Sequence, residues 1–250
     1  LMPHLTVLLM SFVPPGTWTV ETFPPEYSTE SYHALATSPQ LLTPIVNSLR
    51  MATIATLANV VLAFGVAWLI VRTRFRGRTL LGALIALPWA LPGTVIAIAL
   101  ASTFSANQPW AGRFLLVGTF WILPLAYFIR NIPLVTRGAI ASFRQLDPSL
   151  EEAAASLGAT WRTTARRVVL PLVLPGLAAG TVLAFVTALG EFVSSILLYS
   201  HSTRPISIEI LSQLRAYDLG AAAAYGMLLI ALMTLSFIVG FRGVSGGERG

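Results

Sequence analysis

Long apolar runs alternate with short polar segments along the sequence. The runs cover residues 45–71, 80–104, 114–132, 172–198 and 220–241. A helix of about 20 apolar residues crosses the hydrocarbon core of a bilayer. A shorter run at residues 1–12 begins without a Met, and we interpret it as the end of a membrane helix whose beginning is missing. The pattern predicts an all-α, polytopic membrane bundle of about six helices, the first of them truncated.

The composition agrees with a membrane protein. Of the 250 residues, 55% are hydrophobic and 10% are charged, whereas soluble domains have about 25% charged residues. The absence of Cys excludes disulfides, thiolate metal sites and cysteine nucleophiles. Three His and ten acidic residues are scattered along the chain, which argues against a metal centre or an acid–base cluster.

The arginines predict the orientation in the membrane. Four of them lie in residues 72–78, directly after a predicted membrane helix. In a soluble protein such a cluster would suggest nucleic-acid binding, but beside a membrane helix it indicates a cytoplasmic anchor under the positive-inside rule. With this loop inside, twelve of the sixteen Arg face the cytoplasm and only Arg113, Arg204 and Arg215 lie outside, while Arg50 falls within a helix. We therefore expect a multi-pass inner-membrane protein that contacts lipid and no nucleic acid.

These patterns divide the chain into four parts. We expect a partial membrane helix at residues 1–13, an outer loop at 14–40, a membrane core at 41–241 and a cytoplasmic tail at 242–250. The core contains a cytoplasmic loop at residues 135–171. It also contains an outer segment, residues 199–219, whose apolar positions predict a helix at the membrane interface. Those positions are Ile206, Ile210 and Leu214.

The stretch 147–171 is polar and begins with the pattern of a short helix. Asp147 is placed to cap the helix, and Glu151 and Glu152 fall in its first turns, where the helix dipole favours acids. Gly158 is placed to end it. About ten helical residues extend about 15 Å, too short to span a bilayer. A slim helix with an apolar face suits the groove of a partner protein.

This stretch resembles the cytoplasmic signature of ABC importer permeases, E-A-A-x3-G-x9-I-x-L-P. Every spacing fits, and the one departure is Val168 in place of Ile. In that family the loop is the coupling element that docks on the ATP-hydrolysing subunit; the alternative is an ordinary amphipathic helix–turn–helix loop. The resemblance implies coupling residues Glu151, Glu152, Ala153, Ala154, Leu157, Gly158, Val168, Leu170 and Pro171.

The resemblance also implies partners. These are a cytoplasmic ATPase dimer that binds ATP and Mg, a second permease copy, homologue or fused half, and an outer solute-binding protein. The chain itself is expected to be neither catalytic nor cofactor-bound, because without Lys it contains no Gly-x4-Gly-Lys phosphate loop. Residues 87–93, 188–192 and 204–215 resemble the ferric-iron branch, which implies iron(III) as the solute. Thiamine, sulfate, molybdate, phosphonate and polyamine are the alternatives.

Two features are candidates for the translocation path. Pro88, Pro92 and Gly93 interrupt one apolar run, and such breaks often line a transport path, although simple packing kinks are the alternative. Glu191 lies towards the outer end of another run, where an acid is costly and suggests function. It is alternatively a structural acid paired with Arg, or the coupling acid of an ion-driven secondary transporter. A membrane enzyme would need clustered catalytic groups, which the sequence does not show.

Overall fold

The computed structural model describes residues 2–17, 23–105, 112 and 114–246. In this part of the chain the regular structure is helical, without a β-strand, which confirms the all-α expectation. The α-helices are α1 Met2–Met10, α2 Glu30–Thr37, α3 Pro39–Arg72, α4 Arg78–Ala90, α5 Gly93–Phe104, α6 Ile122–Gln145, α7 Ser149–Ser156, α8 Trp161–Thr164, α9 Leu170–Leu189, α10 Ser195–Leu198, α11 Ile206–Arg215 and α12 Leu219–Gly246.

Fewer helices qualify as membrane spans than the apolar runs predict. Among the described residues, three are long and apolar enough to cross: Pro39–Arg72, Trp161–Leu189 and Leu219–Gly240. The pair α4 and α5 makes a fourth if it is taken as one broken span. By this measure three or four of the five predicted crossings are found among the described residues.

Two predicted crossings have the wrong bounds. The run 114–132 is not one helix, because turns and irregular backbone precede α6, which begins at Ile122 and continues past Pro133 to Gln145. The run 172–198 is interrupted, because α9 ends at Leu189 and the next four-residue helix begins only at Ser195. Apolar composition alone does not show where tertiary contacts stop a helix.

Three further boundaries differ from expectation. Pro88 lies inside α4, and the break falls at Leu91, whose extended backbone is the conformation that a following proline favours. The loop 14–40 contains the helix α2. The expected tail is partly helical, since α12 reaches Gly246, and residues 247–250 lie outside the described part.

The first compact unit comprises residues 1–52, 93–126 and 188–235. Buried hydrogen bonds tie its outer segment to α3: the Ser48 hydroxyl accepts from the Ile206 N–H at 2.8 Å, and the Asn47 amide donates to the Arg204 carbonyl at 3.1 Å. Ile206 is fully buried, and Ile210 packs against the same core. The apolar face of α11 therefore contacts protein at these positions, and the prediction of an interfacial helix is wrong for them.

The second compact unit comprises residues 53–92, 127–187 and 236–250. In it, α6 and α9 approach so closely that their backbones touch at glycines. A Cβ on Gly138 would lie 2.5 Å from the Gly176 carbonyl oxygen, and one on Gly180 would lie 2.9 Å from the Leu134 carbonyl oxygen. Small residues permit such approach between membrane helices. The surrounding core residues are Ala63, Ala67, Val135, Ala139, Phe143, Leu146, Val169, Val173, Leu177 and Ala184.

A wide helical turn connects α8 to α9. Residues 165–169 form a π-helix, in which the Leu170 N–H bonds the Ala165 carbonyl. The turn lies just before Pro171, which lacks an N–H and whose ring would crowd the carbonyl of a regular preceding turn. It also spaces the buried positions Thr164 and Val169 five residues apart.

Candidate coupling site

Helix α7 is capped at its N-terminus as the sequence predicts. The Asp147 Oδ1 accepts a hydrogen bond from the Ser149 N–H at 2.9 Å, and Pro148 has helical backbone angles. This hydrogen bond lowers the pKa of Asp147 below its usual value because it favours the charged form. The stabilisation by Asp147 is therefore present above the ordinary pKa of an aspartate and is lost as the pH falls through the lowered value.

Gly158 ends α7 in the left-handed conformation that favours glycine, with φ +80°. Its N–H bonds the Ala155 carbonyl at 2.9 Å, and the Ala159 N–H bonds the Ala154 carbonyl at 3.0 Å. These two bonds form a Schellman cap. A Cβ at Gly158 would meet nothing within 4 Å, so the requirement for glycine arises from the backbone angle alone.

Most of α7 is not covered by its own chain. Leu157 is 88% exposed and Leu150 is 43% exposed. Glu152 and Ala153 are exposed, while Ala154 is half-buried. Uncovered apolar side chains on a rigidly capped helix are typical of a surface that binds another protein.

Three contacts hold the loop that carries α7. The Arg72 Nε donates to the Glu151 Oε1 at 2.7 Å, and the Arg72 Nη2 donates to the Leu146 carbonyl at 2.9 Å. The Trp161 ring packs on the Trp68 ring, with 5.3 Å between centroids. The structure thus places Glu151 against this chain's own Arg72. From its position at the end of a membrane helix, Arg72 was predicted only to be a membrane anchor, and the sequence pattern gives no sign of its pairing with Glu151.

We expect the Arg72–Glu151 pair to stabilise the loop by about 1 kcal/mol, because both side chains are largely buried and the guanidinium also binds a carbonyl. The measurement is a double-mutant cycle of Arg72→Gln and Glu151→Gln, read by denaturant unfolding in detergent. A cycle with Arg74→Gln, whose side chain is exposed, is the matched control and should be additive. Additive effects in the Arg72 cycle would contradict the expectation.

The remaining signature residues lie where α9 begins. Val168 is half-buried, while Leu170 and Pro171 are exposed. They follow α7 at the same end of the second unit, because the loop from α6 to α9 carries both. Their part in coupling stays a prediction.

The structure distributes the candidates for the translocation path over both units. Glu191 does not lie in a spanning helix, contrary to expectation, but in the break between α9 and α10. Its Oε1 accepts from the Ser194 N–H at 2.9 Å, and its carbonyl accepts from the Ser207 hydroxyl at 2.9 Å. In the same unit Gly93 is buried at the start of α5, against which α10 packs. Pro88 and Pro92 belong to the second unit, and a role in the path stays a prediction for all four residues.

Comparison with protein families gives a match over most of the chain. The sequence profile of the family described as binding-protein-dependent transport system inner membrane component matches residues 59–242.

Within the described residues, no three His, Asp or Glu side chains are grouped so as to hold a metal ion.

Curated relatives include permeases for different solutes. The sulfate transport system permease protein CysT of Salmonella typhimurium is 36% identical over 219 residues, which cover 84% of this chain and 79% of that protein. The probable ABC transporter permease protein y4fN of Sinorhizobium fredii is 30% identical over 96% of this chain, but the chain spans only 42% of that protein. The ferric transport system permease protein FbpB of Actinobacillus pleuropneumoniae is 31% identical over 82% of this chain and 29% of its own length.

A solved structure shares the fold. The bacterial ABC transporter that imports the acidic polysaccharide alginate contains a chain with a TM-score of 0.74 and 20% identity. The match covers 97% of this chain and 90% of that one. At this identity the likeness concerns the helical architecture alone.

Proposed function

Since the chain belongs to the family of binding-protein-dependent transport system inner membrane components, we propose that it is a membrane-spanning subunit of an ATP-driven importer for sulfate or a related oxyanion. The proposed solute is supported by the 36% identity to a sulfate permease over 79% of the length of that protein. The iron(III) expectation is not confirmed, since the relatives include both sulfate and ferric permeases and the sulfate permease has the higher identity, 36% against 31%. The chain is a multi-pass protein of the inner membrane, as its apolar helices predict.

We further propose that α7 transmits ATP-driven motion to the membrane helices. A separate ATPase subunit binds ATP and Mg and seats the exposed face around Leu157 in a groove. Because Arg72 and Trp68 hold the loop to α3, a displacement of α7 pulls directly on a helix that is long enough to span the membrane. A second permease copy, homologue or fused half and an outer solute-binding protein complete the proposed importer.

The test is uptake in cells that lack their own sulfate importers. The chain is expressed with its ATPase, binding protein and second permease half, and the uptake of radiolabelled sulfate is compared with that of iron(III). We expect ATP-dependent uptake of sulfate, at least tenfold above an ATPase-dead control, and none of iron. Uptake of iron without sulfate would contradict the proposed solute, and uptake that persists in the ATPase-dead strain would contradict the proposed energy source.

A further inference from the structure

The few arginines on the outer side are unusual in a chain that obeys the positive-inside rule. Of the sixteen Arg in the sequence, only Arg113, Arg204 and Arg215 are expected outside. The structure brings Arg204 and Arg215 to one pocket in the first unit. Two of the three arginines expected on the outer side therefore line the same pocket, although they are eleven positions apart in sequence.

The pocket has a volume of about 420 Å³ and two walls. One wall is a single face of α11, since Ile208, Leu211, Ser212 and Arg215 follow a helical spacing. The other is the turn at residues 199–201, with Arg204 between the walls. In the described part of the chain, the pocket lining contains no Asp or Glu.

Arg204 is held in one orientation before any ligand arrives. Its Nη1 donates to the Glu209 Oε2 at 2.7 Å and to the Ser212 Oγ at 3.3 Å, and its Nη2 contacts the His201 Nδ1 at 2.8 Å. Glu209 is itself buried and also accepts from the Gln213 amide at 2.7 Å. These contacts use three of the five N–H groups of a guanidinium and leave two for a ligand.

The neighbouring groups add further donors. Because a guanidinium only donates, the His201 Nδ1 accepts, and the neutral ring carries its proton on Nε2. Tyr199 and Ser212, which carry hydroxyl groups, line the same pocket. Each of these groups offers an O–H or N–H to an acceptor, as an oxyanion requires.

The charges favour an anion over a cation. Glu209 offsets one positive charge by its contact with Arg204, while Arg215 is exposed and forms no ion pair within the described part of the chain. The pocket therefore keeps an excess positive charge, which attracts anions and repels Fe³⁺. Its volume exceeds that of a small ion, so an anion would enter with several waters, each occupying about 30 Å³.

We propose that this pocket is an outward-facing site for a small divalent oxyanion of the sulfate kind. The solute contacts the two free N–H groups of Arg204 and the guanidinium of Arg215 before it enters the membrane. Because the walls are open and the ion stays partly hydrated, the site receives and releases the ion rapidly. The choice of sulfate as the ligand rests on the proposed function. The location of the site rests only on the geometry of this pocket.

Binding of radiolabelled sulfate to the purified importer complex in nanodiscs, without the binding protein, tests the site. Arg215→Gln is the main variant, because an exposed side chain that forms no ion pair with the described residues can be replaced without unfolding the segment. We expect it to weaken sulfate binding about tenfold through the loss of a charge-assisted contact.

Arg204→Lys is the second variant. It keeps a positive charge beside Glu209 but loses the planar guanidinium with its paired N–H groups, and it should also weaken sulfate binding. Arg50→Gln removes an exposed charge in the same unit that does not line the pocket, and should bind like wild type.

The outcomes separate this inference from the proposed function. Absence of saturable sulfate binding, or equal binding by wild type and Arg215→Gln, would overturn the site, even if the complete importer still takes up sulfate. Sulfate binding that depends on Arg215 would support the site, even if uptake assays reveal another transported solute. Binding-protein affinity is measured in parallel. If Arg215→Gln weakens docking of the binding protein and leaves sulfate binding intact, the pocket recognises a protein carboxylate and the inference fails.

Discussion

Replacing Gly176 with leucine is expected to abolish the folded second unit and with it all uptake. A Cβ at this position would collide with the Ser142 hydroxyl and lie 3.1 Å from the Gly138 carbonyl oxygen. The Ser142 side chain could turn aside, but the Gly138 backbone cannot, so the larger side chain would have to separate α6 from α9. The readout is the amount of monodisperse protein in detergent and its melting temperature.

Glycine-to-alanine substitutions allow the loss of stability to be measured in a protein that still folds. Gly138→Ala adds one methyl group 2.5 Å from the Gly176 carbonyl oxygen and should cost about 1–3 kcal/mol. Gly65→Ala is the matched control, since Gly65 lies inside α3 and an added Cβ would meet nothing within 4 Å. It should be neutral or stabilise by about 0.5–1 kcal/mol. Equal melting temperatures for Gly138→Ala and Gly65→Ala would show that the helices do not pack through these glycines.

Leu157→Asp is expected to release the ATPase while the permease itself stays folded. Because Leu157 is 88% exposed, its replacement costs this chain almost nothing, so any large effect must arise in a complex. A carboxylate in the apolar groove of a partner would lie desolvated and unpaired. We expect co-purification of the ATPase to fall at least tenfold and uptake to stop, with an unchanged melting temperature of the isolated permease. Glu152→Arg should act in the same direction by reversing an exposed charge on the same helix.

Leu214→Asp is the control for this loss of binding. Leu214 is 45% exposed on α11, the helix predicted on the outer side, and the same substitution there should leave the ATPase bound. If Leu157→Asp and Glu152→Arg both retain the ATPase as wild type does, α7 is not the docking surface. If Leu157→Asp lowers the melting temperature of the isolated permease, its loss of ATPase has a structural cause instead.

The parts predicted correctly depend on residues close together in the chain. The caps of α7 require only Asp147 before the helix and Gly158 after it, and both behave as expected. The helical class follows from apolar runs too long for anything else in a bilayer. The signature spacing predicted the family of importer permeases, and the family comparison confirms that membership.

The errors lie at places where distant residues decide the structure. Periodicity extended one helix through Glu191, but the chain leaves α9 at Leu189, where hydrogen bonds from Ser194 and Ser207 to Glu191 replace the helical ones. The sequence pattern also does not show the π-turn before Pro171, which adds one residue to the helical turn. Neither a turn of this width nor a polar contact across sixteen residues alters the apolar pattern that the prediction uses.

Sequence alone was thus sufficient for the membrane class and the short capped helix, since these follow from composition and near neighbours, while the orientation stays a prediction. The tertiary structure decided which groups meet. It paired Arg72 with Glu151, placed Gly138 against Gly176, and brought Arg204 and Arg215 to one pocket. Such tertiary contacts depend on how the helices pack against one another. Helix packing results from many side chains together, and no local sequence pattern encodes it.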